Sequence, residues 1–138
     1  MTMPVLVGEF MSTDPTWLPA DALVVEAARW MCERGANCVF VCEEDGRFLG
    51  ALSAQDILYQ CVAVGRSPEV TSLRQVLDPT PGWVTPASTL QEAMRLAVRH
   101  SWQTLPVLDG PVLVGSVRLA EITDQFLRRE IGGGDWID

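Results

Sequence analysis

Lysine is absent from this 138-residue chain: all ten basic residues are arginine, set against eighteen Asp and Glu, for a formal net charge of −8. A scattered acidic balance of this kind offers no basic face, which argues against nucleic acid or an anionic membrane surface as partner. Any phosphate-bearing ligand has to find its cations locally. Histidine is nearly missing as well, since His100 stands alone at the polar end of an expected helix. Cys32, Cys38, Cys42 and Cys61 include no C-x-x-C pair and lie inside apolar segments, where free cysteine behaves as a small hydrophobe. Neither a metal site nor a disulfide framework is expected, and no nucleophile sits beside an obvious base. Long apolar runs are also lacking: nothing approaches the roughly 18 residues that cross a bilayer. The opening "MTMPVLVGEF" has neither the basic start nor the apolar stretch of a secretory signal, so the expected setting is the cytoplasm. What remains is 48% hydrophobic and 20% charged, enough to bury a core.

The chain repeats itself. Trp17 begins "WLPADALVVEAARWMCERGANCVFVCEEDGRFLGALSAQDI" and Trp83 begins "WVTPASTLQEAMRLAVRHSWQTLPVLDGPVLVGSVRLAEI". Glu26 falls on Glu92, Val41 on Val107, Gly50 on Gly115 and Asp56 on Glu121 once one residue is deleted at the second turn. Each copy reads as β-α-β-β-α. A short strand (Thr16 to Leu18; Trp83 to Thr85) precedes a helix started by Asp21 or by Ser88, the latter with Gln91 three residues on. Val24, Ala27, Ala28 and Met31 share one face of the first helix, and Leu90, Ala93, Met94, Ala97 and Val98 one face of the second. Gly35 is placed to end the first helix. Two strands then pair across a tight turn, Cys38 to Cys42 with Arg47 to Leu52, and Thr104 to Leu108 with Val112 to Val117. Closing helices follow at Ala54 to Val64 and Leu119 to Arg129. Residues 1–66 are expected to form the first repeat, 67–80 a linker with a helical turn at Ser72 to Leu77, 81–131 the second repeat and 132–138 a C-terminal tail, flexible unless Trp136 docks. The fold class is α+β, with the two copies expected to pack about a pseudo-two-fold axis.

A tandem unit of this order, with "M-S-x-D-P" at Met11 to Pro15, "L-P-V-L-D-G" at Leu105 to Gly110 and "G-x-x-S-x-x-D-I-L" at Gly50 to Leu58, resembles the cystathionine β-synthase (CBS) domain pair, or Bateman module. The resemblance runs from about Val7 to Leu127. It implies a sheet-and-helix module that binds adenosyl ligands (AMP, ADP, ATP or S-adenosylmethionine) in a cleft between repeats, that dimerises, and that performs no chemistry. It also implies that Ser53 contacts phosphate and Asp56 holds the ribose diol, with Thr80, Gly82 and Val84 along the adenine. Asn37, Cys38, Trp102, Gln103 and Thr104 would supply the remaining edge. No cofactor is obligatory in this reading.

The residues themselves support two readings of "GALSAQDIL". Ser53 and Asp56 project from the first turn of a helix, beside unpartnered N–H groups, where an ionised carboxylate can accept from a vicinal diol. The same S-x-x-D spacing is also that of a capping box. The second copy departs from the pattern: Arg118 replaces the serine and Glu121 the aspartate, leaving a degenerate second site with Thr16 and Leu18 as its other wall. Arg118 either pairs with Glu121 and plugs its own cleft, or reaches a phosphate held nearby. Two rivals accompany the sensor reading: an interaction module without nucleotide, and a hydrolase using Asp56 as base, which lacks any partner acid, metal cluster or nucleophile. Leftover apolar residues on the helices, Trp30, Phe10 and Phe126, point to a homodimer.

Overall fold

A computed structural model describes residues 4–77 and 82–132, so Thr80 and Trp136 lie outside the described residues. The chain divides into two compact units. The first-copy unit takes in residues 16–77 together with 111–113, and the second-copy unit residues 4–15, 82–110 and 114–132.

In the first-copy unit β1 (Trp17–Pro19) runs parallel to β2 (Cys38–Cys42), which pairs antiparallel with β3 (Phe48–Ser53). Helix α1 (Val24–Arg34) covers this sheet with Val24, Ala27 and Met31, which share a core with Val39, Val41, Leu52 and Cys61. It ends at Gly35, whose φ of 61° is the left-handed conformation that a side chain disfavours. Asp21 does not start α1. Leu23 bridges Ser72 and stays extended, so the helix begins one residue later, and Asp21 instead faces Arg74 at 3.5 Å. Along β2 four consecutive residues are buried, whereas β3 alternates, with Gly50 and Leu52 inward.

The closing helix begins as α2 (Ala54–Ile57) and widens into a π turn over Leu58–Val62, where Ala63 N–H donates to Leu58 O at 2.8 Å. This register turns Cys61 fully inward while Leu58, Tyr59 and Val62 remain more than half exposed.

The second-copy unit repeats the plan with a weaker first strand. Val84 makes a single parallel bridge to Val107, through Val84 N–H to Pro106 O (3.1 Å) and Leu108 N–H to Val84 O (2.8 Å). Helix α4 (Leu90–His100) is followed by β4 (Thr104–Asp109) and β5 (Val112–Arg118), joined through Gly110 at φ 62°, and then by α5 (Leu119–Gly132). So short a connection pairs them antiparallel. The start of α4 is Thr89 rather than Ser88: the Thr89 hydroxyl accepts from Glu92 N–H (3.2 Å) and Glu92 accepts from Thr89 N–H (2.9 Å). Ser88 Oγ accepts from Thr85 N–H, one turn earlier. The bonds from Thr89 hold the Glu92 carboxyl below its ordinary range.

Residues 4–15, ahead of the first strand, and residues 67–77, expected as linker, both carry core residues. In the second-copy unit Val5 and Val7 are buried with Leu90, Leu105 and Ile122, and the chain around them satisfies the start of α4: Leu90 N–H donates to Val5 O and Val7 N–H to Ser88 O. In the first-copy unit residues 67–77, including α3 (Leu73–Val76), do the same for α1, with Val24 N–H on Thr71 O and Val25 N–H on Pro68 O, while Leu73 and Val76 enter the core. Helix starts leave N–H groups without internal partners, and a strap of extended chain is one way to satisfy them. Arg74 anchors the second strap through two bonds to Glu43 (2.7 and 3.1 Å), which hold that carboxyl below its ordinary range.

Residues 4–15 also pair along β5, with Ser12 and Ser116 exchanging N–H···O bonds of 2.9 and 3.0 Å. Gly115 makes the approach possible, since a Cβ there would stand 2.6 Å from Ser12 O and 3.0 Å from Met11 Sδ. We therefore expect Gly115→Ala to cost about 1–3 kcal/mol of stability and to raise amide exchange at Met11 and Ser12. An unchanged melting temperature would contradict this account of the strap.

Candidate functional site

The junction of β3 and the closing helix brings four of the expected site residues together. β3 delivers Ser53 in register with Cys38 of β2, and Ala54 N–H donates to Asn37 O at 2.9 Å. Ser53, in extended conformation, then caps the helix: its hydroxyl accepts from Asp56 N–H at 3.0 Å, and Asp56 Oδ2 accepts from Ser53 N–H at 2.8 Å. The capping box expected from the spacing is thus formed in full. A carboxylate has about four acceptor positions and this cap uses one, so Asp56, half-buried, keeps capacity for a further donor. Its charge is felt by Cys38, whose thiol is raised first by burial and second by Asp56.

Arg118 and Glu121 form the corresponding junction in the second-copy unit. Leu119 N–H donates to Gln103 O at 2.7 Å, as Ala54 does to Asn37, and Glu121 Oε1 accepts from Arg118 N–H at 3.0 Å, as Asp56 does from Ser53. The Arg118 guanidinium turns to the same carboxylate oxygen at 3.7 Å, one of the two arrangements that the sequence leaves open. This junction opens onto a recess of about 720 Å³ lined by Gln103, Thr104, Arg118, Leu119, Thr123 and Leu127. A second recess of about 380 Å³, walled by Phe10 of the strap, shares Arg118, Ala120 and Asp124 with it.

The remaining expected residues fall as follows. Val84 is 3% exposed, and its backbone N–H and C=O are both taken up by Pro106 and Leu108 of β4. Gly82 lies against Leu96, whose Cδ1 a Cβ would approach to 2.9 Å. Trp102 packs on the second-copy core and stacks on His100 at 4.6 Å between centroids. Thr16 is exposed ahead of β1, and Leu18 packs on the first-copy core. Trp30 lies under the Arg34 guanidinium at 4.6 Å and against the first-copy core, while Phe10 and Phe126 are half-buried on the second. The recess wall at Thr123 and Leu127 was not anticipated; the helical spacing of 119, 123 and 127 is the signal that places them on one face.

The four cysteines are free, with Cys32 exposed and burial raising the Cys42 thiol to about 12. Among the described residues no three His, Cys, Asp or Glu gather to hold a metal ion, and no helix is long and apolar enough to cross a membrane.

The CBS domain family model matches the chain twice, over residues 7–62 and 73–128. The chain therefore belongs to the CBS domain family, as a tandem pair. It is 25% identical over 114 residues to hypoxic response protein 1 of Mycobacterium tuberculosis (83% of this chain, 80% of that protein). It is 27% identical over 127 residues to the CBS domain-containing protein YhcV of Bacillus subtilis (92% and 89%). A 31% match over 90 residues to the meiotically up-regulated gene 70 protein of Schizosaccharomyces pombe spans 64% of this chain but only 12% of that relative's length. Among solved structures it resembles Hypoxic Response Protein I with two coordinated zinc ions (TM-score 0.78, 23% identity, 87% of this chain and 98% of that one). CBSX2 in complex with AMP gives a TM-score of 0.76 at 20% identity, covering 91% and 98%. The cytosolic domain of the Mg2+ channel MgtE in complex with ATP gives 0.70 at 23% identity, covering 87% and 48%.

The Ser53–Asp56 geometry generates two expectations. Ser53→Ala is expected to cost about 1 kcal/mol in thermal unfolding, the value of a lost cap. Asp56→Asn removes a negative charge that disfavours the Cys38 thiolate, so the Cys38 pKa falls while burial keeps it above the ordinary thiol value. In a Cys32→Ser background the pH midpoint of Cys38 alkylation shifts down; an unmoved midpoint contradicts the assigned proximity.

Proposed function

We propose that this CBS pair is a non-catalytic regulatory protein that binds an adenosyl ligand (AMP, ADP, ATP or S-adenosylmethionine) at the start of α2, where Asp56 accepts the ribose hydroxyls and Ser53 meets the phosphate. The observation that carries this reading is that Asp56 stays in place through its bond to Ser53 N–H yet retains acceptor positions on a half-buried carboxylate. Nucleotide-bound relatives of the same fold, one with AMP and one with ATP, support the ligand class. Binding acts as a population shift: a ligand that prefers one arrangement of the module reports itself to a protein partner or through self-association. A cytoplasmic setting and a homodimer through Trp30, Phe10 and Phe126 belong to the same proposal.

An interaction module without nucleotide is the alternative favoured by one observation, the completeness of the cap, which gives Ser53 and Asp56 a structural occupation without any ligand. Calorimetry and thermal shift with the four ligands separate the two. A ligand at 100 times its Kd adds about 2.7 kcal/mol of stability to the wild type. Asp56→Asn keeps an acceptor for Ser53 N–H but loses the charge-assisted bonds, and is expected to weaken binding by about 1.5–3 kcal/mol. Absence of any ligand-induced stabilisation supports the interaction module instead. Sedimentation at micromolar concentration tests the dimer, and a 15.2 kDa species contradicts it.

A further inference from the structure

We propose that two copies of this chain pair first copy to first copy, with Leu58, Tyr59 and Val62 of one protomer packed on the same residues of its partner about a two-fold axis. The inference rests on the homodimer reading above and moves its contact to another face; it does not depend on nucleotide binding. Trp30 is already covered by the Arg34 guanidinium and the first-copy core, and Phe10 and Phe126 are half-buried on the second-copy core, so none of the three offers a bare surface.

Gln55, Leu58, Tyr59 and Val62 recur at the three- and four-residue spacing that places side chains on one helix face. The three apolar members are 52%, 54% and 55% exposed. The π turn over Leu58–Val62 creates this face, because it sends Cys61 into the core and leaves its neighbours outside. Val64, also exposed, extends the face into the turn that Gly65 N–H closes on Val62 O at 3.1 Å. No charged residue occurs from Ile57 to Gly65, in a chain that is 20% charged. The matching stretch of the second copy is different. Thr123, Asp124 and Arg128 stand where the first copy has Leu58, Tyr59 and Ala63, and Asp124 accepts from Arg128 Nε at 2.9 Å. The two closing helices share a frame, and only the first is bare of charge.

Charge and area point to a second copy as the occupant. Each chain carries −8, so two copies repel wherever their charged surfaces meet. An uncharged apolar face is where that repulsion is least, and it complements itself about a two-fold axis because no like charges are brought together. A partner selected by opposite charge would find nothing to pair with here. Leu58, Tyr59, Val62 and Val64 together expose about 450 Å², so a symmetric pair covers about 900 Å² at its apolar centre. The exposed, neutral Gln55 and Gln60 add a polar rim, which takes the contact past the roughly 1,000 Å² expected of a specific interface.

Sedimentation of the full chain at micromolar concentration tests the assignment. The wild type is expected to run as a dimer that tightens as salt rises, because salt screens the repulsion between two acidic chains. Tyr59→Asp and Tyr59→Arg are each expected to weaken association roughly tenfold or more, since like charges then face each other across the axis. Mixing the two variants in equal amounts is expected to restore the dimer, a recovery that misfolded variants could not show. Val98→Asp, at an apolar position of the second-copy unit that is at least as exposed, is expected to leave the dimer intact. A wild-type dimer unmoved by both Tyr59 variants, no recovery on mixing, association that weakens as salt rises, or loss of the dimer in Val98→Asp overturns the inference while the homodimer reading stands. A wild-type species of 15.2 kDa overturns both.

Discussion

A carboxylate or amide oxygen three residues into the helix, accepting the N–H of the residue just ahead of it, recurs at each helical start among the described residues. Glu9 takes Leu6 N–H at the single 3-10 turn Val7–Glu9, Glu26 takes Leu23, Asp56 takes Ser53, Gln75 takes Ser72, Glu92 takes Thr89 and Glu121 takes Arg118. Short extended segments turning abruptly into helices leave amides that must find partners, and a side chain at this spacing is the local remedy. The acidic composition follows partly from this requirement. S-x-x-D is first a way of starting a helix; a place at the end of a strand, β3 for Asp56 and β5 for Glu121, sets these two apart from their four counterparts.

The straps complete what these caps begin. Thr71 O and Val5 O accept from equivalent amides, Val24 and Leu90, at the starts of α1 and α4, so the duplication extends to segments that share no obvious sequence. Each strap also inserts apolar side chains, Leu73 and Val76 in one unit and Val5 and Val7 in the other. The chain ahead of the first copy is therefore structural material for the second, and Gly115 is the position where that arrangement leaves no room for a side chain.

The elements were largely legible because duplication supplied two readings of each. Pattern and turn residues give β2 to the residue, β3, β4 and β5 to within one, and Gly35 as the end of α1. The helix starts were less legible. Asp21 and Ser88 are good capping residues by type, but a bridge from Ser72 keeps Leu23 extended and Ser88 is engaged one turn earlier, facts that depend on distant chain. The straps are not legible, because Gly and Pro punctuation looks the same in a linker as in an extended segment pinned by tertiary bonds. At the site, the pairing of Ser53 with Asp56 is readable from spacing, whereas for Arg118 spacing offers Glu121 as one of two partners. The widening of the closing helix into a π turn, which sets which of Leu58 to Val62 face outward, had no local signature.

The two copies thus share a frame and differ in charge: one presents a serine hydroxyl and a capped aspartate, the other a weakly held arginine. The central claim is that the Asp56 carboxylate serves the helix and a ligand together. An amide NMR titration with AMP tests it most directly, combined with hydrogen exchange at Ser53. The account predicts shift changes centred on Ser53, Asp56 and Cys38, with Ser53 N–H remaining protected because its bond to Asp56 persists in the complex. Changes that leave these three residues unmoved, or a Ser53 amide that loses protection as AMP binds, would contradict it.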